Sequence, residues 1–314
     1  MSESSLGRLV EIAEAGRHLA KDRGFLTISS SGTEIGRVPL DDLTAVIASS
    51  PGTTVSCSLL ADLANRGVAF AVCGRNFSPA AFLWPVDGHH AQQRRMEEQI
   101  SASKSLNRRI WGQLVAAKIR RQGMAVAKSG HRSGAFEALA KAVKIGDPEN
   151  VEAQAARRYW PLMFGPDFRR NTEAAGTNAL LNYGYAILRA ATARAIVAAG
   201  LHPSIGIFHR HPNNPMPLAD DLMEPFRPDV DLEVLSLTRE GVTDVDSGAK
   251  RRLVAVLSAE LPTALGHSPV QTCIMRLAQS VAASYGNGES AVSLPTILPY
   301  SAPEPVDEQD SGSE

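Results

Sequence analysis

The sequence contains little cysteine. Its three cysteines, Cys57, Cys73 and Cys273, are far apart along the chain and odd in number. This spacing excludes a disulfide framework and a CxxC metal clip. We therefore expect three reduced cysteines that act as small core residues.

Long apolar runs are also missing. No run approaches the roughly 18 residues that a membrane-spanning helix needs, and the N-terminus "MSESSLGRLVEIAEAG" lacks a basic flank before an apolar core. Hydrophobic residues make up 44% and charged residues 21% of the 314 residues, as is usual for globular proteins. We expect a soluble, cytoplasmic protein without a membrane partner, long enough for two domains.

The net charge is nearly zero, at −1, but the charges are segregated along the chain. Residues 302–314 hold five acids and no base, and the rest of the chain has 32 bases against 28 acids. Residues 91–132, which we call the basic segment, hold ten Lys or Arg against two Glu. Such a block is suited to DNA phosphates, although a solvated helix face explains it equally well.

The chain has two parts with different sequence patterns. Short β-type runs such as "FLTISS" and "VAFAVC" alternate with turns up to about residue 84, and one short helix begins at Ser58. Helical periodicity then predicts helices at about 89–103, 105–128, 132–145, 148–163, 173–200, 216–224, 229–240, 247–262 and 268–285. The pattern predicts an α+β protein, with a small, sandwich-like β-rich domain followed by a larger all-α domain.

One stretch, "GIFHRHPNNPMPLADDLMEPFRPDVD", combines histidines with acids. Asp221 and Glu224 are three apart and share a face if the segment is helical, with Pro225 ending that helix. His209 follows an apolar run, and His202 and His211 are its rivals. Imidazole with carboxylates suits Mg²⁺ or Mn²⁺. By themselves, however, such acids usually lie on solvated faces, and such histidines are usually structural.

A third acid lies in "DPENVEAQAARRYWPLMFG". Asp147 is predicted to cap a helix, with Pro148 at its first position and Glu152 about one turn in. Small alanines after Glu152 allow another element to approach closely. Tyr159 and Trp160 are either core residues, which is the commoner case, or platforms for bases.

Three ordered motifs carry a specific resemblance: "EAQAARRYWPLMFG", "TNALLNYGYAILRAATARAIVAAGLHPSIGIFH" and "LADDLMEPFRPDVD". They are similar to the successive motifs of the Cas-one family, the CRISPR-associated endonuclease/integrase of spacer acquisition. The match is close over residues 150–231, and the order and length of the other elements agree. The chain length and "LMEPFRP" resemble the type II variant of the family.

The resemblance implies a metal site and a reaction. Glu152, His209 and Glu224 fall on the family's ligands for Mg²⁺ or Mn²⁺, with Asp221 in support. The implied reaction joins the 3′-hydroxyl ends of a prespacer to a CRISPR repeat by transesterification. The α-helical domain, residues 98–293, would carry this site.

The resemblance also implies partners. Residues 1–86 would form the dimerisation domain of a homodimer, joined by a linker at 87–97, and residues 294–314 would be a disordered tail. Two dimers would bind a dimer of the small Cas-two protein in a heterohexamer. The DNA partners are prespacer and repeat, and the predicted phosphate contacts are Arg94, Arg95, Arg108, Arg109, Lys118, Arg120 and Arg121.

Two other functions use the same residues. One is a metal-dependent nuclease of branched DNA in repair, which differs only in its substrate. The other is a noncatalytic DNA-binding scaffold subunit, in which the acids would merely cap helices.

Overall fold

The computed structural model describes residues 8–74, 79–83, 85–86, 89–209, 211–264 and 266–296. The fold is α+β, as the sequence predicts. Its strands are β1 (Arg8–Ile12), β2 (Arg17–Asp22), β3 (Phe25–Ser30), β4 (Thr33–Pro39), β5 (Leu43–Ala48), β6 (Thr54–Val55), β7 (Ala69–Cys73), β8 (Pro79–Phe82), β9 (Glu260–Thr263) and β10 (Gly266–Pro269). Its helices are α1 (Cys57–Asn65), α2 (Gln92–Ser101), α3 (Lys104–Lys128), α4 (Gly134–Ala142), α5 (Val151–Phe164), α6 (Thr177–Ala198), α7 (Pro217–Met223), α8 (Arg227–Arg239), α9 (Ser247–Ala255) and α10 (Val270–Asn287).

Two four-stranded sheets form the N-terminal part, in the orders β1-β5-β7-β8 and β4-β3-β2-β6. Leu19 and Leu26 of one sheet and Val46 of the other bury their side chains in a common core. On the next position of β5, Ile47 belongs instead to the core of the helical part. The side chains of β5 therefore point alternately into two cores, so both faces of the sheet β1-β5-β7-β8 are covered at this strand. This explains the almost unbroken apolar sequence "LTAVIA" of β5.

Helix α6 lies deep in the helical part, as its apolar, Ala-rich sequence predicts. Gly184 in this helix allows α8 to come close, because a Cβ at this position would lie 2.4 Å from Val230 Cγ1. A side chain there would therefore push α6 and α8 apart. Among the described residues, no helix is both long enough and apolar enough to cross a membrane.

The predicted helix over 247–262 is wrong in its second half. Helix α9 ends at Ala255, and a 3₁₀ turn leads into the antiparallel hairpin of β9 and β10. Pro262 has no N–H for a helical hydrogen bond, and Gly266 turns the chain with φ +100°. The described residues of the larger part are thus helical with one short hairpin.

The cysteine prediction is partly confirmed. All three cysteines are free, Cys273 is buried and Cys73 is partly buried, but Cys57 is exposed at the start of α1. Of the predicted tail, residues 297–314 lie outside the described part of the chain. Residues 84, 87 and 88, between the β-rich part and α2, also lie outside the described part.

Candidate active site

His209 lies within the connection between α6 and α7. Gln99, on α2, anchors the start of this connection through hydrogen bonds with both the N–H and the C=O of His202. Gly206 is required by close approach, since a Cβ there would lie 2.7 Å from the His209 carbonyl oxygen and 2.8 Å from Pro217 Cβ. The "GIFH" segment therefore turns tightly against the first turn of α7.

Asp221, on α7, holds His209 in place. Its Oδ2 accepts the backbone N–H groups of Ile207 and Phe208, at 2.7 and 3.0 Å, and its Oδ1 accepts that of His209. The same Oδ1 lies 2.6 Å from His209 Nδ1. A carboxylate only accepts hydrogen bonds, so the neutral imidazole carries its proton on Nδ1 and has Nε2 as an acceptor for a ligand.

The pKa of His209 is raised, first by the hydrogen bond with Asp221. Burial lowers this pKa, while the charges of Asp221, Glu224 and Glu152 raise it further. Both glutamates therefore lie close enough to act on the imidazole. Glu152 and Glu224 share the Lys118 ammonium and both raise the pKa of His209, although the three residues that the resemblance implies as ligands are 57 and 15 residues apart in sequence.

Glu224 is buried immediately after α7. As Pro225 predicts, the α-helix stops here, and a 3₁₀ turn of residues 224–226 leads directly into α8. Arg227, one turn on, places its Nε 3.0 Å from Glu224 Oε1. Burial alone would raise the pKa of Glu224, but Arg227 and Lys118 outweigh burial and lower it. Glu224 is therefore a buried carboxylate that stays charged.

Glu152 lies in the first turn of α5. The Asp147 carboxylate accepts the N–H groups of Val151 and Glu152, at 2.8 and 3.0 Å. The cap residue itself is Asn150, in the left-handed region, and its side chain accepts the N–H of Ala153. The predicted start at Pro148 is thus wrong by three residues, because Asp147 and Asn150 share the capping.

Lys118, on α3, joins the two glutamates. Its Nζ donates a hydrogen bond to Glu152 Oε1 at 2.5 Å and lies 2.6 Å from Glu224 Oε2. The second approach lacks hydrogen-bond geometry, and Glu224 Oε2 makes no hydrogen bond with the described residues. Burial lowers the pKa of Lys118, but the charges of Glu224 and Glu152 outweigh it and raise this pKa. The ammonium thus balances two carboxylates that converge on one point.

These residues fit a divalent cation. The Glu152 and Glu224 carboxylates already share the Lys118 ammonium, and Asp221 orients the imidazole of His209. These groups form an oxygen-rich donor set suited to Mg²⁺ or Mn²⁺. Across the described ranges, no three His, Cys, Asp or Glu side chains are grouped as a ready-made metal site. The assignment of Glu152, His209 and Glu224 as ligands therefore stays a prediction.

The rivals of these residues have other surroundings. His202 Nδ1 accepts the N–H of Ser204, and His211 Nδ1 accepts that of Asn213. Tyr159 is fully buried and donates a hydrogen bond to Asp231. Trp160 is half-buried and lies within 6.0 Å of the Phe164 ring. Both aromatic residues match the core interpretation rather than a platform for bases.

Two of the predicted phosphate contacts require correction. Arg121 is only 4% exposed, and its Nη2 binds both carboxylate oxygens of Asp229. Lys118 is engaged by Glu152 and Glu224. Burial explains both errors, because charge counting along a helix does not show which face packs inward.

The other predicted phosphate contacts reach the surface. Arg94 and Arg108 are exposed, and Arg95, Arg109 and Arg120 are half-buried. Arg120 pairs with Glu137, and Arg109 donates to the backbone oxygen of Gly288. These five side chains remain the predicted phosphate contacts.

A buried network behind the site was not found in the sequence. Asp231 on α8 accepts hydrogen bonds from the hydroxyl groups of Tyr159 on α5 and Tyr185 on α6. The Arg227 guanidinium stacks over the Tyr185 ring, 4.7 Å from its centroid. The spacing of Glu224, Arg227 and Asp231 by three and four residues was a usable signal, since such residues share a helix face.

Comparisons with known proteins point to one family. The family model described as "CRISPR associated protein Cas1" matches residues 10–260. The CRISPR-associated endonuclease Cas1 of Neisseria meningitidis serogroup C (strain 8013) is 34% identical over 293 residues, which cover 92% of this chain and 96% of the relative.

Solved structures share the fold. A casposase bound to an integration product superposes with a TM-score of 0.74 at 20% identity and covers 91% of this chain and 92% of its own. A Cas6-RT-Cas1–Cas2 complex superposes with a TM-score of 0.72 at 16% identity and covers 96% of this chain and 37% of its own.

Proposed function

This chain belongs to the CRISPR-associated Cas1 family, and we propose that it is an endonuclease/integrase of CRISPR adaptation that joins prespacer 3′-hydroxyl ends to a CRISPR repeat. The observation that carries this proposal is the convergence of Glu152 and Glu224 on one cation beside His209. The type II assignment rests on sequence resemblance alone and stays a prediction.

Glu152, His209 and Glu224 would hold the divalent cation, Mg²⁺ or Mn²⁺. When bound, such an ion lowers the charge on the attacked phosphate and stabilises the oxygens that enter and leave it. The side chains around it prepare the site. Asp221 fixes the imidazole, and Arg227 pairs with Glu224 Oε1 while Lys118 pairs with Glu224 Oε2.

The proposed reaction is an exchange of phosphodiesters. The prespacer 3′-oxygen forms a bond to the phosphorus at the 5′ end of a repeat strand, and the bond from this phosphorus to the 3′-oxygen of the preceding, flanking nucleotide breaks. The phosphorus stays on the repeat's 5′-oxygen, and one proton passes from the attacking hydroxyl to the leaving 3′-oxygen. The reaction requires neither an oxidant nor a nucleoside triphosphate. Lys118 and Arg227 hold their positive charges against the two glutamates, and this fixed charge would favour the charged transition state electrostatically without a direct phosphate contact.

DNA binding beyond the active site is proposed for the exposed part of the basic segment. Phosphate contacts position a duplex without reading its sequence, as suits prespacers of any sequence. The contacts we propose are Arg94, Arg95, Arg108, Arg109 and Arg120.

The quaternary structure is also part of the proposal. We propose a homodimer formed through residues 1–86, with residues 87–97 as the linker to the catalytic domain, 98–293. Two dimers and one Cas2 dimer would form a heterohexamer in the cytoplasm. One structural relative is itself a complex that contains Cas2, which supports this choice of partner.

The test is a half-site integration assay. Purified protein and Cas2 receive Mg²⁺ or Mn²⁺, a prespacer with free 3′ ends and a repeat-bearing plasmid. We expect Glu152→Ala, His209→Ala and Glu224→Ala each to lower strand joining by at least about 100-fold, because each removes a group that stabilises the transition state. Glu149→Ala is the control, since Glu149 is exposed and pairs with Lys144.

The alternatives give other results. Intact joining in all three variants would contradict the catalytic assignment and favour a noncatalytic scaffold. A wild type that cuts branched DNA but never joins a prespacer to the repeat would favour the repair nuclease.

A further inference from the structure

A second binding feature lies beside His209. It is a groove between the first turns of α3, the turn before α5 and the segment that leads to His209, with a volume of about 650 Å³. This volume is typical of small-molecule sites. We call it the Phe208 groove, and its lining residues include Lys104, Asn107, Arg108, Trp111, Ile145 and Phe208.

The apolar part of the Phe208 groove is an aromatic stack with one open end. The rings of Phe208 and Trp111 are nearly parallel, at 3°, with centroids 4.3 Å apart. Trp111 is 1% exposed, whereas Phe208 is 49% exposed. Ile145, also in the groove, is 63% exposed. A fixed aromatic ring with its outer face open to solvent is a platform for another flat ring.

The charged part of the Phe208 groove is positive. Lys104 and Arg108 are exposed on the first turns of α3, where the helix dipole already places positive charge. Two positive side chains at the N-terminal end of α3 destabilise the helix by itself but stabilise the binding of an anion there. Among the described residues that line the groove, there is no acid to balance them.

Two buried polar atoms in the groove wall make no hydrogen bond with the described residues. They are Asn107 Oδ1 and Trp111 Nε1, an acceptor and a donor four residues apart on α3. Buried polar atoms are nearly always hydrogen-bonded in folded proteins. Neither atom has accessible surface, so a ligand in the groove meets the exposed side chains of Phe208, Lys104 and Arg108 instead.

We propose that the Phe208 groove binds one unpaired DNA nucleotide next to the reacting phosphodiester. Its base stacks on Phe208, and its phosphate contacts Lys104 and Arg108. The base is unpaired because bases inside a duplex have both faces covered by their neighbours, whereas a splayed base has a free face. The Trp111 ring lies 5.5 Å from the His209 ring, so the nucleotide is adjacent to the active site. This inference rests on the proposed function.

The experiment measures stacking without chemistry. Oligonucleotides carrying 2-aminopurine, a base whose fluorescence falls when it stacks, are titrated with full-length protein in EDTA. One DNA has the probe in a single-stranded 3′ overhang, and the other has it inside a blunt duplex. We expect wild type to quench the overhang probe more strongly than the duplex probe.

Variants of Phe208 decide the assignment. Phe208→Leu keeps an apolar side chain and loses the ring, so we expect the quenching to disappear and Kd to rise by roughly 5- to 100-fold, as for loss of one stacked base. Phe208→Tyr keeps the ring and should behave as wild type. Met275→Leu, an exposed apolar residue outside the groove, is the control. Lys104→Glu should weaken binding at low salt and flatten its salt dependence.

Three results would overturn the proposal: quenching by Phe208→Leu equal to that of wild type, equal quenching of the duplex probe, or unchanged binding in Lys104→Glu. If Phe208→Leu does not fold, the comparison of the overhang and duplex probes and the Lys104→Glu variant still decide. The strand-joining assay separates this proposal from the proposed function. Joining by wild type with Phe208-independent quenching contradicts only the nucleotide site, and Phe208-dependent quenching without joining contradicts only the integrase.

Discussion

At the residue scale, one ammonium group sits between two carboxylates that would otherwise repel each other. Lys118 Nζ lies 2.5 Å from Glu152 Oε1 and 2.6 Å from Glu224 Oε2, and the Lys118 side chain is 13% exposed. A divalent cation held by the same carboxylates has to share this space with the ammonium. Lys118 therefore balances the site when no metal is bound.

We predict that Lys118→Met makes the protein depend on metal for its stability. Without metal, the variant should lose about 3–5 kcal/mol of unfolding free energy, as is usual when one partner of a buried ion pair is removed. Adding Mn²⁺ should then raise its Tm by more than it raises the Tm of wild type, because the metal restores the missing positive charge. Thermal unfolding with EDTA and with Mn²⁺ measures both Tm values.

Lys128→Met is the control for this prediction, since Lys128 is exposed at the end of the same helix. It should show the Tm and the metal response of wild type. An equal Mn²⁺ response in Lys118→Met and wild type would mean that Lys118 and the metal do not share a site.

Sequence reasoning placed some of these residues but not their relations. His209 and Asp221 are twelve residues apart in one segment, so their proximity was readable from it. Lys118 is 34 residues before Glu152 and 106 before Glu224, and the charge pattern predicted it as a phosphate contact. Only the packing of α3 against α5 and the turn before α8 shows that it faces inward.

At the element scale, the buried carboxyl group of Asp231 ties three helices together. Asp231 on α8 accepts hydrogen bonds from Tyr159 on α5 and Tyr185 on α6. Burial raises its pKa to about 7, although the two hydroxyl groups and the charges of Arg227 and Lys118 act in the opposite direction. These three helices carry Glu152 and flank Glu224, so the network supports the site from behind.

This pKa predicts how stability depends on pH. The folded-state pKa of about 7 lies above the unfolded value of about 3.9, so the folded protein keeps a proton that the unfolded chain has lost. The resulting stabilisation is complete below about pH 4 and is lost as the pH rises to about 7. The asparagine in Asp231→Asn cannot ionise. From pH 5 to pH 8, the unfolding free energy of this variant should therefore fall by about 1–3 kcal/mol less than that of wild type.

Urea denaturation at pH 5, 6, 7 and 8 measures this difference. Asp244→Asn is the control, since Asp244 is exposed, and it should follow wild type. Parallel pH profiles for wild type and Asp231→Asn would show that Asp231 ionises in the folded protein as it does in the unfolded chain.

Element prediction succeeded where one pattern dominated. Helices α3 and α6 are long and strongly patterned, and their predicted bounds differ from the observed ones by four residues or fewer. The hairpin of β9 and β10 was missed because four-residue strands are too short for a periodic signal, and the helical pattern of α9 runs into them. Their cues were Pro262 and Pro269.

At the scale of the whole molecule, charge is unevenly distributed. The net charge of the whole chain is −1, but the basic segment is strongly positive and residues 302–314 carry five acids. These acids lie outside the described residues, and their charge is known from the sequence alone. Without them, 32 bases face 28 acids, and the net charge becomes +4. Like charges repel at long range, so these acids should slow the approach of DNA and weaken its binding.

We predict that neutralising these acids strengthens DNA binding at low salt. The variant combines Glu304→Gln, Asp307→Asn, Glu308→Gln, Asp310→Asn and Glu314→Gln, which keeps the chain length. Its Kd for a duplex of random sequence should fall by about three- to tenfold at 50 mM salt. The reason is that the variant has a more positive net charge than wild type and attracts the phosphates more strongly. Fluorescence anisotropy between 50 and 500 mM salt measures this Kd.

The difference should vanish towards 500 mM salt, since screening limits charge effects to less than about 10 Å above 0.1 M. The control rearranges residues 302–314 without changing their composition, and it should bind DNA as wild type does. Equal affinity of the neutral variant and wild type at 50 mM salt would contradict the prediction. A rearranged segment that binds as tightly as the neutral variant would show that the order of these residues matters, and not only their charge.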